Sequence, residues 1–171
     1  MELTTLTSGA KTILEVSEPC EIGDALMRRV LANDTAMYER FIELTGDLTT
    51  DYMQPIYQYY LADREERKQD FTPQDLAVFM SLLCGEADTV VDMCAGTGAL
   101  TIQRWNRDKQ ASFELMEIDE KVLPFLLFNM AIRNISCTVK HGDVLQCETF
   151  KTYIVGKGDR YGQVSCVEPA L

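Results

Sequence analysis

The stretch TVVDMCAGTGALTIQRWNRD (89–108) decides the fold. TVVDM (89–93) is a short apolar, β-branched run of the kind that forms a buried strand. CAGTG (94–98) is a glycine-rich turn, and ALTIQRWNRD (99–108) reads as the helix that the turn opens. A strand, a glycine turn and a helix in succession let backbone approach a ligand closely, and the helix amino-terminus adds polarity there. The dinucleotide pattern GxGxxG is absent, because Thr101 stands where the third glycine would follow Gly96 and Gly98. That absence argues against a nicotinamide-cofactor protein. An acid, Asp92, instead closes the strand just before the turn.

Downstream the alternation continues. FELMEID (113–119) reads as a second strand, followed by a helix from Glu120 to Arg133 that bears Leu123, Leu126, Leu127 and Met130. Pro124 falls in its first turn, where a missing amide hydrogen costs little. CTVKHGD (137–143) is a third strand and QVSCVEP (163–169) a fourth, while the basic stretch KTYIVGKGDR (151–160) reads as a solvated loop. This pattern predicts a parallel, right-handed α/β sheet with its ligand at the carboxyl ends of the strands. Two more acids stand at such ends. Glu117 is placed to accept both ribose hydroxyl hydrogens of an adenosine ligand, with Ile118 packing on the adenine face. Asp143, in HGDVL (141–145), suits the adenine amino group, with Val144 beneath the ring. His141, the only histidine, is a weak general-base candidate, and Trp105 is expected to pack on the sheet.

Upstream the sequence is helical. Residues 1–19 alternate weakly and read as irregular, with at most a short strand. From Glu21 onward Ile22, Leu26, Met27, Val30 and Leu31 form a helical stripe, and Met37, Phe41, Ile42 and Leu44 form another before Gly46. A third helix is predicted from Thr50 to about Arg67, its charged end DREERKQD (63–70) being solvated. FTPQDLAVFMSLLC (71–84) then has Thr72 in capping position, Pro73 at the first turn, and Leu76, Phe79, Met80 and Leu83 on one face. These shifts in texture divide the chain into a helical region, 1–70, and an α/β domain, 71–171.

Charge limits the partners. The 171 residues carry 16 Lys and Arg against 27 Asp and Glu, a net charge of −11, and neither half is basic. Tight unaided binding to nucleic acid needs surplus cations to displace phosphate counterions, and this sequence has none. The six cysteines form no CxxC pair and mostly sit in apolar runs such as VVDMCAG (90–96), so we expect buried, reduced thiols. With one histidine and no ligand spacing, no metal site is expected. The N-terminus lacks a signal-peptide pattern, and no apolar run approaches the ~18 residues of a membrane span. We expect a soluble cytoplasmic protein.

The motifs DMCAGTG (92–98), MEID (116–119) and HGDVL (141–145) resemble the cofactor motifs of class I S-adenosylmethionine-dependent methyltransferases. FTPQDLA (71–77) resembles the segment that precedes them in adenine-specific DNA methylases, above all the methylase subunit of type I restriction–modification systems. The resemblance covers residues 60–171. It implies a Rossmann-like class I fold and S-adenosylmethionine as cofactor. By the same resemblance Asp92, Cys94, Ala95, Gly96, Thr97, Gly98, Glu117, Ile118, Asp143 and Val144 bind it, and Phe71, Thr72 and Pro73 close its methionine end.

After their fourth strand these methylases place Asn or Asp, two prolines and an aromatic residue. The side chain and the neighbouring proline carbonyl accept the hydrogens of the adenine amine, and the ring stacks on the flipped base. The corresponding residues are Glu168, Pro169, Ala170 and Leu171, which makes Glu168 and Pro169 the candidate catalytic residues. Glu168 is one methylene longer than Asp, and Leu171 offers no aromatic face. A catalytically silent, cofactor-binding or interaction protein is therefore the alternative to an active methyltransferase. Family members continue with three more strands and a target-recognition element or subunit, so relative to them this sequence is short at its C-terminal side. DNA is expected to be held only weakly or through a partner subunit. In class I topology the fourth strand would lie beside the first, and QVSCVEP would leave an apolar edge to be covered. The helical region, a partner subunit or a second copy could cover it, and a homodimer is the first choice.

Overall fold

The computed structural model describes residues 1–63, 65 and 70–167. Its sheet is built in chain order from β1 (Thr89–Asp92), β2 (Ser112–Glu117), β3 (Cys137–Asp143), β4 (Glu148–Gly156) and β5 (Gln163–Val167), each paired with the next. The first three strands are parallel, as the alternation predicts, and β4 and β5 complete the sheet antiparallel. The crossovers are helices α6 (Ala99–Arg107), between β1 and β2, and α7 (Leu123–Ile132), between β2 and β3. The architecture is thus the expected α/β, Rossmann-like one, with helices α1 (Leu3–Leu14), α2 (Ile22–Leu31), α3 (Thr35–Thr45) and α4 (Met53–Tyr60) ahead of it.

Helix α7 explains how the two parts join. Its sequence LPFLLFNMAI is apolar around the whole circumference, and all ten residues are buried. Such a helix must be covered on every side. Helices α2 and α4 cover one side, and β3, β4 and β5 the other. The apolar stripes of α2 and α3 therefore enter the same core as the sheet, which holds Ile22, Leu26, Phe41 and Tyr57 together with Phe113, Leu115 and Val139.

Four local expectations are corrected. Residues 3–14 form α1 rather than irregular chain. The threonines that give the segment its alternating look are accommodated by the helix: Thr7 donates its hydroxyl to the Leu3 carbonyl at 2.8 Å, and Leu6, Ala10, Ile13 and Leu14 make the buried stripe. Helix α4 is shorter than the predicted 50–67, starting after Asp51, which accepts hydrogen bonds from the amides of Met53 and Gln54. Arg64, Glu66, Arg67, Lys68 and Gln69 lie outside the described residues. Much of KTYIVGKGDR is strand β4 rather than loop, because Tyr153 and Val155 alternate inward against the core while their neighbours face water. Among the cysteines only Cys137 is buried; the other five are exposed.

The fourth predicted strand is also placed differently. β5 does not lie beside β1. It pairs with β4 at the far side of the sheet, because the hairpin supplied by β4 takes the position next to β3. The helical region covers part of its edge. Asn33, at the end of α2, accepts from the Val164 amide at 2.7 Å and donates to the Val164 carbonyl at 3.2 Å. The outer edge of β1, at the other side, is unpaired among the described residues. Helix α5 (Gln74–Leu83), capped by Pro73 with no side-chain cap from Thr72, lines a cavity together with Val90, Val91 and Asp92 of β1. Its predicted apolar face, Leu76, Phe79, Met80 and Leu83, is exposed, and Ala77 and Ser81 make its buried contacts. No helix among the described residues is long and apolar enough to cross a membrane.

Candidate functional site

The end of β1, the glycine turn and the end of β2 meet at one place, as they must when two parallel strands lie side by side. The turn is pinned to β2 by the Ala95 amide, which donates to the Met116 carbonyl at 3.0 Å. Gly96 and Gly98 have φ of 56° and 97°, a region that side chains rarely adopt. Gly98 also lacks room: a Cβ there would lie 2.7 Å from Met130 Cε and 3.0 Å from Leu126 Cδ1. Both glycines are therefore required by the turn itself.

Glu117 is the pivot. One carboxylate oxygen, Oε2, accepts from the Gly96 amide at 2.8 Å, and Oε1 accepts from the Asp119 amide at 2.8 Å. Two backbone donors thus fix the carboxylate at the mouth of a cleft of about 170 Å³ lined by Phe71, Thr72, Cys94, Ala95, Gly96 and Thr97 as well as Glu117. Asp70, Ala99, Leu100, Asp119 and Val122 complete the lining. Pro73, Asp92, Gly98, Ile118, Asp143 and Val144 lie outside it. At about 170 Å³ the cleft is smaller than the roughly 300–1,000 Å³ typical of a small-molecule site, so a longer ligand would fit only one end into it.

The rest of such a ligand would extend over the strand ends. Ile118 is 58% exposed there, with its carbonyl 3.2 Å from His141 Nε2, and the His141 ring meets Phe150 edge-on at 5.1 Å. Asp143 caps its own turn: Oδ1 accepts from the amides of Leu145 and Gln146, and Oδ2 from the Gln146 side chain at 2.9 Å. Glu168 and Pro169 lie outside the described residues.

Asp92 is electrostatically unusual. Its Oδ1 accepts from the Cys94 amide at 3.3 Å, but Oδ2 is buried without a hydrogen-bond partner among the described residues. Burial raises its pKa above the ordinary 3.8, and the Cys94 bond opposes this only in part. The Cys94 thiol is also pushed up, by burial and by the charges of Glu117 and Asp92, which keeps it neutral and weakly nucleophilic. An acid whose folded pKa is raised destabilises the fold at pH above that value, and the penalty vanishes below the unfolded pKa. Asp92→Asn is therefore expected to raise the melting temperature at pH 7 by a few degrees, a change of 1 kcal/mol being worth roughly 2–4 °C at this size. The gain should disappear near pH 3.5; a gain that does not depend on pH would contradict it.

Several residues at the site escape motif reading. Asp119 is buried and lines the cleft, and its Oδ2 accepts from the Tyr57 hydroxyl at 2.7 Å. Beneath the turn, Asp51 accepts from the Thr97 hydroxyl at 2.6 Å and from Asn129 at 2.8 Å. Arg133 donates to Asn129 and to the carbonyls of Leu48 and Thr50. The only local signal for these was the second acid of MEID. No cluster of three or more potential metal-ligating side chains occurs among the described residues.

Comparison with known proteins gives a family. The family model of the N-6 DNA methylases matches residues 48–161, a span that takes in α4, the FTP segment, the glycine turn and β1 to β4. None of the curated proteins matches the chain significantly. Among solved structures, a candidate class I S-adenosylmethionine-dependent methyltransferase from Listeria monocytogenes is similar, with a TM-score of 0.46 and 14% identity over 81% of this chain. The chain spans about half, 51%, of the length of that structure.

Proposed function

The chain belongs to the N-6 DNA methylase family, and we propose that its glycine turn and strand ends bind S-adenosylmethionine for methyl transfer to the amino group of adenine in DNA. The observation that carries this reading is the Glu117 carboxylate, held by two backbone amides at 2.8 Å each with lone pairs left for the two ribose hydroxyls. Ile118 and Val144 flank the adenine ring, and Asp143 accepts from its amino group. Asp92 offers the methionine ammonium a buried, unpartnered oxygen, which a cation would satisfy. The Cys94–Gly98 backbone lines the middle of the ligand, and Phe71, Thr72 and Pro73 close the methionine end. When bound, this cofactor supplies an electrophilic methyl group on a sulfonium. Residues 71–171 form the binding part, with residues 1–70 as the helical region packed on it.

Transfer needs the adenine amine held in line, because its lone pair is conjugated into the ring. Glu168 and the Pro169 carbonyl are the proposed acceptors of its hydrogens. The chain's acidity assigns DNA binding to a partner subunit with basic surface, as in a methylase subunit of a cytoplasmic restriction–modification system. A second reading, a catalytically silent cofactor-binding protein, is favoured by Glu168-Pro169-Ala170-Leu171, which lacks the second proline and the stacking aromatic ring. Self-association remains part of the proposal, with a two-fold dimer as its form.

Calorimetry with S-adenosylmethionine and its demethylated product, followed by transfer of labelled methyl to duplex DNA, tests both readings. Saturable one-site binding is expected, with label incorporation by the chain alone near background. No binding would overturn the cofactor assignment. Robust labelling of DNA by the unmodified chain alone would overturn both the silent reading and the need for a partner.

A further inference from the structure

We infer that helix α4 is the positioning element of the cofactor site, holding its three walls through residues 51, 54 and 57. The inference rests on the cofactor reading above and extends it to side chains of the helical region that never touch the ligand. Each wall comes from a different part of the chain, and each is tied to this one helix. The glycine turn is tied through Asp51, at the helix start: its Oδ1 accepts from the amides of Met53 and Gln54, and its Oδ2 accepts from the Thr97 hydroxyl at 2.6 Å. The FTP segment is tied through Gln54, whose Nε2 donates to the Thr72 carbonyl at 3.0 Å. The end of β2 is tied through Tyr57, whose hydroxyl donates to Asp119 Oδ2 at 2.7 Å. The Tyr57 ring also meets Phe71 edge-on at 5.6 Å.

Gln54 and Tyr57, three apart in α4, share one face of the helix, and Asp51 sits just ahead of its first turn, bound to its first two amides. The contacts are well insulated: Asp51 and Asp119 are each 6% exposed and Tyr57 is 0% exposed. Hydrogen bonds in such surroundings are strong and unforgiving of displacement. Asn129 locks the arrangement, donating to Asp51 Oδ1 and to the Thr97 carbonyl at 2.8 Å each, so the hydroxyl and the carbonyl of Thr97 are both held. The tether at β2 reaches the ligand-binding carboxylate in one further step, because the Asp119 amide donates to Glu117. A site built from backbone amides and one carboxylate works only if these walls keep their spacing to well under ~1 Å. Helix α4 and the Asp51 side chain bound to its first turn set that spacing for all three.

The test uses the full chain, with S-adenosylhomocysteine titrated by calorimetry below the melting temperature of every variant. Thr97→Val removes one hydroxyl and keeps the shape; Tyr57→Phe removes another and keeps the ring. Each is expected to weaken binding by at least about threefold. Thr97→Ser, which keeps the hydroxyl, should recover most of that loss. Val30→Ala, in the buried face of α2 away from the tethers, should lower the melting temperature at least as much while leaving affinity less than about threefold changed. If the wild type binds and Thr97→Val and Tyr57→Phe bind within about threefold of it, the positioning role is wrong and the cofactor reading stands. If Val30→Ala weakens binding as much as they do, stability alone accounts for the loss and the inference is overturned. If the wild type itself shows no saturable binding, the cofactor reading falls and this inference with it.

Discussion

Glu117→Ala is expected to weaken binding of S-adenosylmethionine on the order of a hundredfold, read by calorimetric titration. In the proposed binding mode the substitution removes two charge-assisted hydrogen bonds to the ribose, each worth roughly 1.5–3 kcal/mol, and a hundredfold corresponds to about 2.7 kcal/mol. The expected loss is slightly less than the two bonds together because water can reach the vacated hydroxyls. A second effect has the same sign: without the carboxylate, the amides of Gly96 and Asp119 lose their common acceptor, and only the Ala95–Met116 backbone bond still ties the turn to β2. Glu117→Gln keeps one acceptor oxygen and should fall between wild type and Ala. Because the two amides border a cleft that water can enter, the melting temperature should change little. Affinity within about threefold of wild type in Glu117→Ala would remove this residue from the site.

Arg133→Ala has the largest expected effect on stability. Its guanidinium is buried, and it donates from Nε to the Leu48 carbonyl at 2.9 Å, from Nη2 to the Thr50 carbonyl at 2.7 Å and from Nη1 to both Asn129 oxygens. Removing it leaves these acceptors unpaired in the interior and takes away a positive charge that attracts Asp51. Leaving several buried acceptors unpaired costs about 1–3 kcal/mol each, which lowers the melting temperature by on the order of 10 °C. Arg133→Lys should recover little, since an ammonium cannot reproduce the fork of donors. Burial brings the arginine pKa down to about 10, with Asp51, Asp47 and Tyr52 opposing the shift. It therefore stays charged at neutral pH, and the destabilisation should be the same from pH 6 to 8. A melting temperature within about 2 °C of wild type would contradict this account.

What the sequence disclosed follows from how local each cause is. The β1–turn–α6 unit was legible because β-branched residues, two glycines and a helical stripe are adjacent in the chain, and Glu117 because strand ends can be read one at a time. Helix α1 was misread because threonines give an alternating pattern while their hydroxyls are satisfied inside the helix. Strand β4 was misread because Lys151, Gly156, Lys157 and Gly158 look like loop residues, whereas Tyr153 and Val155 decide the matter by their burial. The tethers of the site were invisible for a different reason. Asp51 meets Asn129 across 78 positions, and Arg133 meets Leu48 across 85. No local pattern encodes such pairs; only the packing of α4 on α7 creates them. The apolar face of α5 was legible as a stripe, but whether anything covers it depends on tertiary packing; Leu76, Phe79, Met80 and Leu83 are exposed, and Ala77 and Ser81 are the buried positions.

The most direct test of the cofactor site is an amide-resolved nuclear magnetic resonance titration of the isotopically labelled chain with S-adenosylhomocysteine. The account predicts saturable shifts concentrated at the amides of Cys94 to Gly98, Ile118, Asp119 and Val144, with those of Gly96 and Asp119 moving most because they share Glu117. Shifts confined to other surfaces, or none at saturating ligand, would contradict it.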